Sequence, residues 1–227
     1  MKKKWNYQRE QLINNNEPIP FDILEKCLEK KTATCKILTG NGIGFFCKLN
    51  LKNKSIIALL TNNHVLNEEK IKLGSKIEIE HNKEKKVIEI TKKRFTCTNE
   101  EYDYTCIEIF KDDNFNNYFE IDGNINTDNP NKRYKNQEIM MVQYPNLEEA
   151  SFDKGKINSI ENNYQIFHSI STKGGSSGSP IILISDNLKI IGIHCGKSET
   201  LNRGTYMKVI LEDIQQHFSK FYKWELR

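Results

Sequence analysis

The stretch TKGGSSGSPII, Thr172 to Ile182, holds three serines close together, two glycines before them and a proline after. It reads in two ways: as a solvated Gly/Ser linker, or as a tight turn that presents one serine. The residues downstream favour the turn. The apolar run IILI begins at Ile181, and KIIGIHCG succeeds it from Lys189, whereas a linker rarely runs straight into a buried strand. Gly174, Gly175 and Gly178 permit backbone angles that crowd several N–H groups around one side chain, and Pro180 ends the turn before the strand.

Outward from this turn the chain has the periodicity of strands. On the N-terminal side ATCKIL, GFFCKL and SIIALLT are short apolar runs between turn residues, while SKIEIEH, KVIEITKK and YTCIEIF alternate strictly. Alternation of this kind belongs to antiparallel strands with one face on a core. A second set comprises EIMMVQY, GKINSIE, YQIFHSI, PIILIS, KIIGIHCG and GTYMKVI. Between the sets lies a polar, Asn- and Asp-rich segment with Pro130. After them, Ile210, Ile214, Phe218 and Phe221 mark the buried face of a helix. Near the start, FDILEKCLEKK puts Phe21, Leu24, Cys27 and Leu28 at helical spacing. The expectation is an all-β chain of two six-stranded antiparallel barrels, since closure removes strand edges, with a C-terminal α-helix and a short N-terminal helical extension. The boundaries are 1–31 for the extension, 32–111 for the first barrel, 112–136 for the connection, 137–209 for the second barrel and 210–227 for the helix. A single larger sandwich satisfies the same strand pattern.

A length of 227 residues suits one domain or one unit of two small halves. The net charge of +4 is modest and its signs are interspersed, so Lys2 to Lys4 and Lys83, Lys85 and Lys86 read as solvated surface, not as a nucleic-acid footprint. No apolar run approaches ~18 residues, and no membrane-spanning helix is expected. The start MKKKWNYQREQLINNN lacks the apolar region of a secretory signal. The six cysteines form no CxxC pair and no zinc spacing; they read as reduced thiols packed as small hydrophobes, which places the chain in the cytoplasm. No His/Cys cluster has metal-ligand spacing, so neither a metal nor another cofactor is expected. GNGIG is followed by no Lys-Ser/Thr and reads as a hairpin turn, not a phosphate loop. His168 reads as a strand residue, and His81 and His217 as surface.

Two further motifs carry chemistry. SIIALLTNNHVL runs a buried strand into Thr61-Asn62-Asn63-His64-Val65; a histidine there is either structural or an imidazole held at a fixed strand end. EEYDYTCIEI sets Asp103 just before a strand, either as a turn former or as a carboxylate that orients a histidine. Asp112 and Asp113 compete for that role from polar loop sequence, while partial burial and a fixed backbone favour Asp103.

His, then Asp, then Ser, each at a strand end, is the chain order of the chymotrypsin-type triad. TNNHV resembles the histidine motif of the trypsin-like, chymotrypsin-fold serine proteases, DYTCIEI their aspartate motif, GSSGSP their nucleophile motif and GNGIGFF the hairpin leading to the histidine strand. The resemblance spans residues 33–211, is specific in the Ser and His motifs, and is weaker at Asp103. It implies a serine endopeptidase acting on a protein or peptide substrate, with no nucleic acid or membrane partner. It makes Ser177 the nucleophile, His64 the general base and Asp103 its orienting acid, with the backbone N–H groups of Gly175 and Ser177 as the oxyanion hole.

Departures from the family pattern sharpen the reading. Digestive trypsins carry an Asp before the nucleophile that pairs with a new α-amino group; here Ser176 stands there, so no switch of that kind is expected, and control through a regulatory partner of the 1–31 extension is. STKGGSSGSP and KIIGIHCGK are closest to the glutamyl endopeptidases of this fold. That resemblance gives Thr172 and His194 a P1-binding role, with Glu or Gln as the preferred side chain according to the charge on His194; the alternative is a satisfied strand histidine. His194, Cys195 and Gly196 would pair with extended substrate, with Cys195 in place of a frequent Trp. The rival function is a protease-like module that docks extended peptides without cleaving them.

Overall fold

The computed structural model describes residues 21–52, 54–184 and 188–225. It has the expected layout of two antiparallel β units and a terminal helix. The part of the extension before Phe21 lies outside the described residues. The helix α1 (Phe21–Lys31) docks differently from its sequence pattern. Of the four apolar positions expected inward, only Cys27 is buried, with its Sγ 3.2 Å from Met140 Sδ. Phe21 and Leu28 are 84% and 60% exposed. The buried stripe is Ile23 and Cys27, one turn apart, and Lys30 Nζ donates to the Tyr118 carbonyl at 2.7 Å.

The first unit contains β1 (Thr34–Ile37), β2 (Gly42–Asn50), β3 (Ser55–Thr61), β4 (Lys76–His81), β5 (Glu84–Glu89), β6 (Thr96–Asn99), β7 (Tyr104–Ile109) and the short β8 (Phe119–Glu120). Their order is β5-β4-β1-β2-β3-β7-β6, with β8 parallel to β2. This corrects the expectation of six strands in a closed barrel: β5 and β6 are edges and no ladder joins them. Arg94, on the link between those edges, takes the place of a ladder. Its Nε donates to the Glu89 carbonyl at 2.9 Å, its Nη1 to the Glu108 carbonyl at 2.6 Å, and its guanidinium is paired with Asp113 at 2.8 and 3.0 Å. All six residues of β7 are buried, because both its faces are covered. Ile107 and Ile109 face the interior of the first unit with Phe46 and Leu59. Tyr104 and Cys106 point to the opposite side, into the cluster that runs on into the second unit and the C-terminal helix. Glu108, to which the sequence gives no role, is buried, with an oxygen 3.2 Å from Lys54 Nζ and the other accepting from Phe95 N–H.

The segment expected to be a plain polar connection is stitched to both units. Phe119 of β8 is buried, Asp122 N–H donates to the Ile190 carbonyl at 3.0 Å, and Tyr134, on α2 (Pro130–Tyr134), donates to the buried Asp122 carboxylate. The second unit is a closed six-stranded barrel of β9 (Glu138–Gln143), β10 (Ser151–Glu161), β11 (Gln165–His168), β12 (Pro180–Leu183), β13 (Ile190–Lys197) and β14 (Asn202–Tyr206), ordered β10-β11-β14-β13-β12-β9. The chain passes from β14 directly into α3 (Met207–Glu225). Ile210, Ile214 and Phe218 are buried, as the helical period requires. From α3, the Asp213 carboxylate accepts from Tyr104 Oη at 2.6 Å and Asn99 Nδ2 at 3.0 Å. It thereby fastens the turn between β6 and β7, where Asp103 stands.

Candidate active site

Strand β3 ends in two buried polar residues that fix the histidine after them. Thr61 Oγ1 donates to the Ile43 carbonyl at 2.6 Å. Asn62 Nδ2 donates to the Asp103 carbonyl at 2.9 Å and lies 3.3 Å from Cys195 Sγ. Val65 and Leu66, both buried, hold the turn from inside. His64 is left at the surface, its side chain 47% exposed against 25% for Asp103. Its Nδ1 is 2.8 Å from Asp103 Oδ2, and its backbone N–H donates to Oδ1 at 3.0 Å. Nδ1 thus donates its proton to the carboxylate, and Nε2 is the acceptor that faces outward.

Asp103 has φ 48, a left-handed conformation that Asp tolerates better than most residues. Its turn is held by Tyr102 N–H to Asn99 Oδ1 at 3.1 Å and by Thr205 Oγ1 to the Tyr102 carbonyl at 2.8 Å. Burial pushes the Asp103 carboxyl upward, but the hydrogen bonds from the His64 ring and amide outweigh it and hold the group below its ordinary range. Asp113, a competitor in the sequence, is occupied with Arg94, and Asp112 is exposed.

The serine turn is bound to both halves. Gly178 N–H donates to the His194 carbonyl at 3.0 Å, and His194 N–H to the Ser179 carbonyl at 2.9 Å; Ile43 N–H, from β2, donates to the Ser177 carbonyl at 2.8 Å. Because Thr61 holds the other side of Ile43, the turn and the histidine end of β3 share one strand residue. Gly178 has φ +89, and a Cβ there would lie 1.9 Å from the Ile43 oxygen, so only glycine fits. Burial separates the three serines: Ser176 and Ser179 are 1% and 0% exposed, while Ser177 is half-buried. Of the three, only Ser177 is not buried. Among the described residues, no hydrogen bond joins Ser177 Oγ to His64 Nε2. Among the described residues, no acceptor receives the N–H of Gly175 or of Ser177.

The other sequence candidates divide. His194 is 2% exposed, and its Nδ1 lies 3.3 Å from Nε2 of the fully buried His168. Burial, then the neighbouring His64, pushes His194 down to about 4, and burial, then His194, pushes His168 down to about 3, so both are neutral at pH 7. His168 is a member of the site that the sequence reading passed over. The signal was present, since alternation in YQIFHSI puts it on the same face as the buried Ile166. Thr172 is half-buried at the start of the turn, with no hydrogen bond to His194. Cys195, expected as a pocket wall in place of Trp, puts its thiol beside the His–Asp pair, 3.3 Å from Thr205 Oγ1 and 3.3 Å from Asn62 Nδ2. Burial, then the Asp103 charge, pushes that thiol up to about 12. Gly196 lies past a bulge that interrupts the β13–β14 register.

Two cavities flank this arrangement. One, of about 340 Å³, runs from His64 and Asp103 past Cys195 to Tyr164 and Arg203. The other, of about 350 Å³, lies between His168, Ser171 and the segment after β13. A larger one, of about 480 Å³ between Lys36, Tyr144 and Glu149, is away from the His–Asp pair. Among the described residues, no cluster of His, Cys, Asp or Glu could hold a metal ion, and no helix is long and apolar enough to cross a membrane.

The family model of the trypsin-like peptidase domain matches residues 42–193, more than half of the chain. No curated protein sequence matches. Among solved structures, the chain is similar to the serine endoprotease from Yersinia pestis, at 15% identity and a TM-score of 0.62 over 88% of this chain and 68% of that one. It is similar to the HtrA-type protease AlgW with a tripeptide, at 15% identity and a TM-score of 0.60 over 85% and 62%. It is also similar to a human pathogenic astrovirus serine protease, at 16% identity and a TM-score of 0.54 over 78% and 90%. Those likenesses carry the fold, and the domain match, running from β2 through the serine turn into β13, carries the family: the chain belongs to the trypsin-like serine peptidases.

Proposed function

We propose that Ser177, His64 and Asp103 form the catalytic triad of an endopeptidase that works through an acyl-enzyme. The observation that carries this is the His64–Asp103 pair, 2.8 Å apart, beside a turn whose one accessible serine is bonded to the strand that supports the histidine. An unassisted hydroxyl is a poor nucleophile at pH 7. His64 Nε2 takes the Ser177 proton as the oxygen attacks the scissile carbonyl, and later gives it to the leaving amine. Asp103 fixes the tautomer and stabilises the imidazolium. The N–H groups of Gly175 and Ser177 receive the oxyanion, each worth about 10²–10³ in rate. A water molecule, deprotonated by His64, then releases the acyl group.

Extended substrate lies along β13 at Cys195 and Gly196, past His194, whose N–H and C=O are taken by Ser179 and Gly178 of the serine turn. The tripeptide described with AlgW supports a peptide ligand for this fold. His194 and Thr172 read the P1 side chain. Among the described residues, His168 Nδ1 has no partner, so its proton sits on Nε2 and is donated to His194 Nδ1, which leaves the proton of His194 on Nε2. A neutral donor suits the amide of Gln at neutral pH. A P1 Glu needs a proton taken up with it, by the carboxylate or by His194. Cleavage after Glu should therefore gain on cleavage after Gln as pH falls from 8 to 6, read as a ratio of kcat/KM on paired peptides.

A fluorophosphonate probe tests the nucleophile: labelling of the wild type that Ser177→Ala abolishes supports the triad. An unlabelled wild type that still binds peptide makes the chain a docking module. Cleavage confined to Lys or Arg at P1 removes the role given to Thr172 and His194.

A further inference from the structure

The turn that bears the two candidate oxyanion N–H groups is gripped from behind by the end of β9, and we infer that Gln143 is a positioning residue for the oxyanion hole. The inference rests on the reading of Ser177 as nucleophile. Gln143 is 5% exposed, and both ends of its amide are engaged with the turn. Its Oε1 accepts from Ser176 Oγ at 2.8 Å, and its Nε2 donates to the Ser171 carbonyl at 3.1 Å. One side chain thus ties the two legs of the segment that carries Gly175.

The residues after Gln143 reinforce this grip. Asn146 N–H donates to the Gly174 carbonyl at 2.8 Å. In a trans peptide the C=O and N–H point opposite ways, so that bond also fixes which way Gly175 N–H points; flipping the unit would break it. Leu147 covers the other side, with its side chain and backbone nitrogen 3.3–3.4 Å from where a Gly175 Cβ would stand. Asn146 and Leu147 have φ 53 and 61. A leucine in that region is strained, and such strain persists only where surrounding contacts over-determine it. Here they are Leu147 N–H to the Tyr144 carbonyl at 2.8 Å and Tyr144 Oη, 3.3 Å from Thr34 Oγ1 of the first unit. A neutral amide–hydroxyl pair at Gln143 and Ser176 thereby does what the family's digestive members do with an Asp at that place and a newly freed amine. It needs neither a charge nor a chain cleavage.

The test uses the full chain, one peptide substrate and the peptide aldehyde of the same sequence, whose hemiacetal oxyanion occupies the hole. The variants are Gln143→Met, which keeps the volume and removes both hydrogen bonds, and Ser176→Ala, which removes one. In both, kcat and aldehyde affinity should fall together by about 10- to 100-fold, less than the loss of an oxyanion donor outright, with KM changed less than about threefold. Ser176→Ala should show the smaller effect, and it decides alone if Gln143→Met does not fold. Unchanged kcat and aldehyde affinity, or a loss confined to KM, overturns the inference while leaving the protease reading intact. A wild type that neither cleaves the peptide nor binds the aldehyde overturns that reading and this inference with it.

Discussion

Asp103 meets three demands at one position. Its carboxylate accepts from the ring and the backbone of His64, its carbonyl accepts from Asn62, and its left-handed φ turns the chain into β7. Asp103→Asn keeps the turn and an acceptor for the His64 N–H, but its amide favours the wrong imidazole tautomer. We expect kcat to fall about 10⁴-fold with little change in melting temperature; activity within tenfold of wild type would remove Asp103 from the mechanism. At this scale the sequence was informative about chain position: His64, Asp103 and Ser177 each follow or precede a strand. It was uninformative where a role depends on what a side chain meets. The thiol of Cys195 turns under Asp103 because Asn62 and Thr205 lie there, and nothing in KIIGIHCG announces either neighbour.

Strands were legible wherever one face is polar or where turn residues bracket an apolar run. The two that escaped are β6, whose sequence TCTN has no apolar period, and β8, which is two residues long. With them went the edge structure of the first sheet, and so the importance of Arg94. Its guanidinium is 6% exposed, faces Asp113, and holds carbonyls of β5 and β7 that have no ladder between them. Removing one partner of such a buried pair leaves an uncompensated charge. Arg94→Ala should cost about 3–5 kcal/mol in urea unfolding. Arg94→Lys should recover little, since an ammonium cannot reach both carbonyls and the carboxylate in one plane. A loss below about 1 kcal/mol would mean that the sheet holds its curvature without this side chain.

For the whole molecule, acid is the revealing variable. His168 and His194 are buried and neutral, at about 3 and about 4, and His81 is shifted the same way by burial. Unfolded histidines titrate near 6.5. Between pH 6.5 and about 4 the unfolded chain therefore binds more protons than the folded one, and stability falls as pH falls, by up to about 1.4 kcal/mol per pH unit for each such group. Asp103, held low, adds its loss only below its ordinary range. Urea midpoints at pH 7 and pH 5 should differ by about 3 kcal/mol once converted; equal midpoints would show that the two imidazoles are hydrated and already charged.

A main-chain bond, Ile43 N–H to the Ser177 carbonyl, crosses from one lobe to the other at the proposed nucleophile. Parting the lobes would stretch that link and draw the proposed nucleophile away from the proposed base. On the proposed mechanism, an agent that merely wedges the lobes apart would silence the enzyme without ever touching its substrate groove.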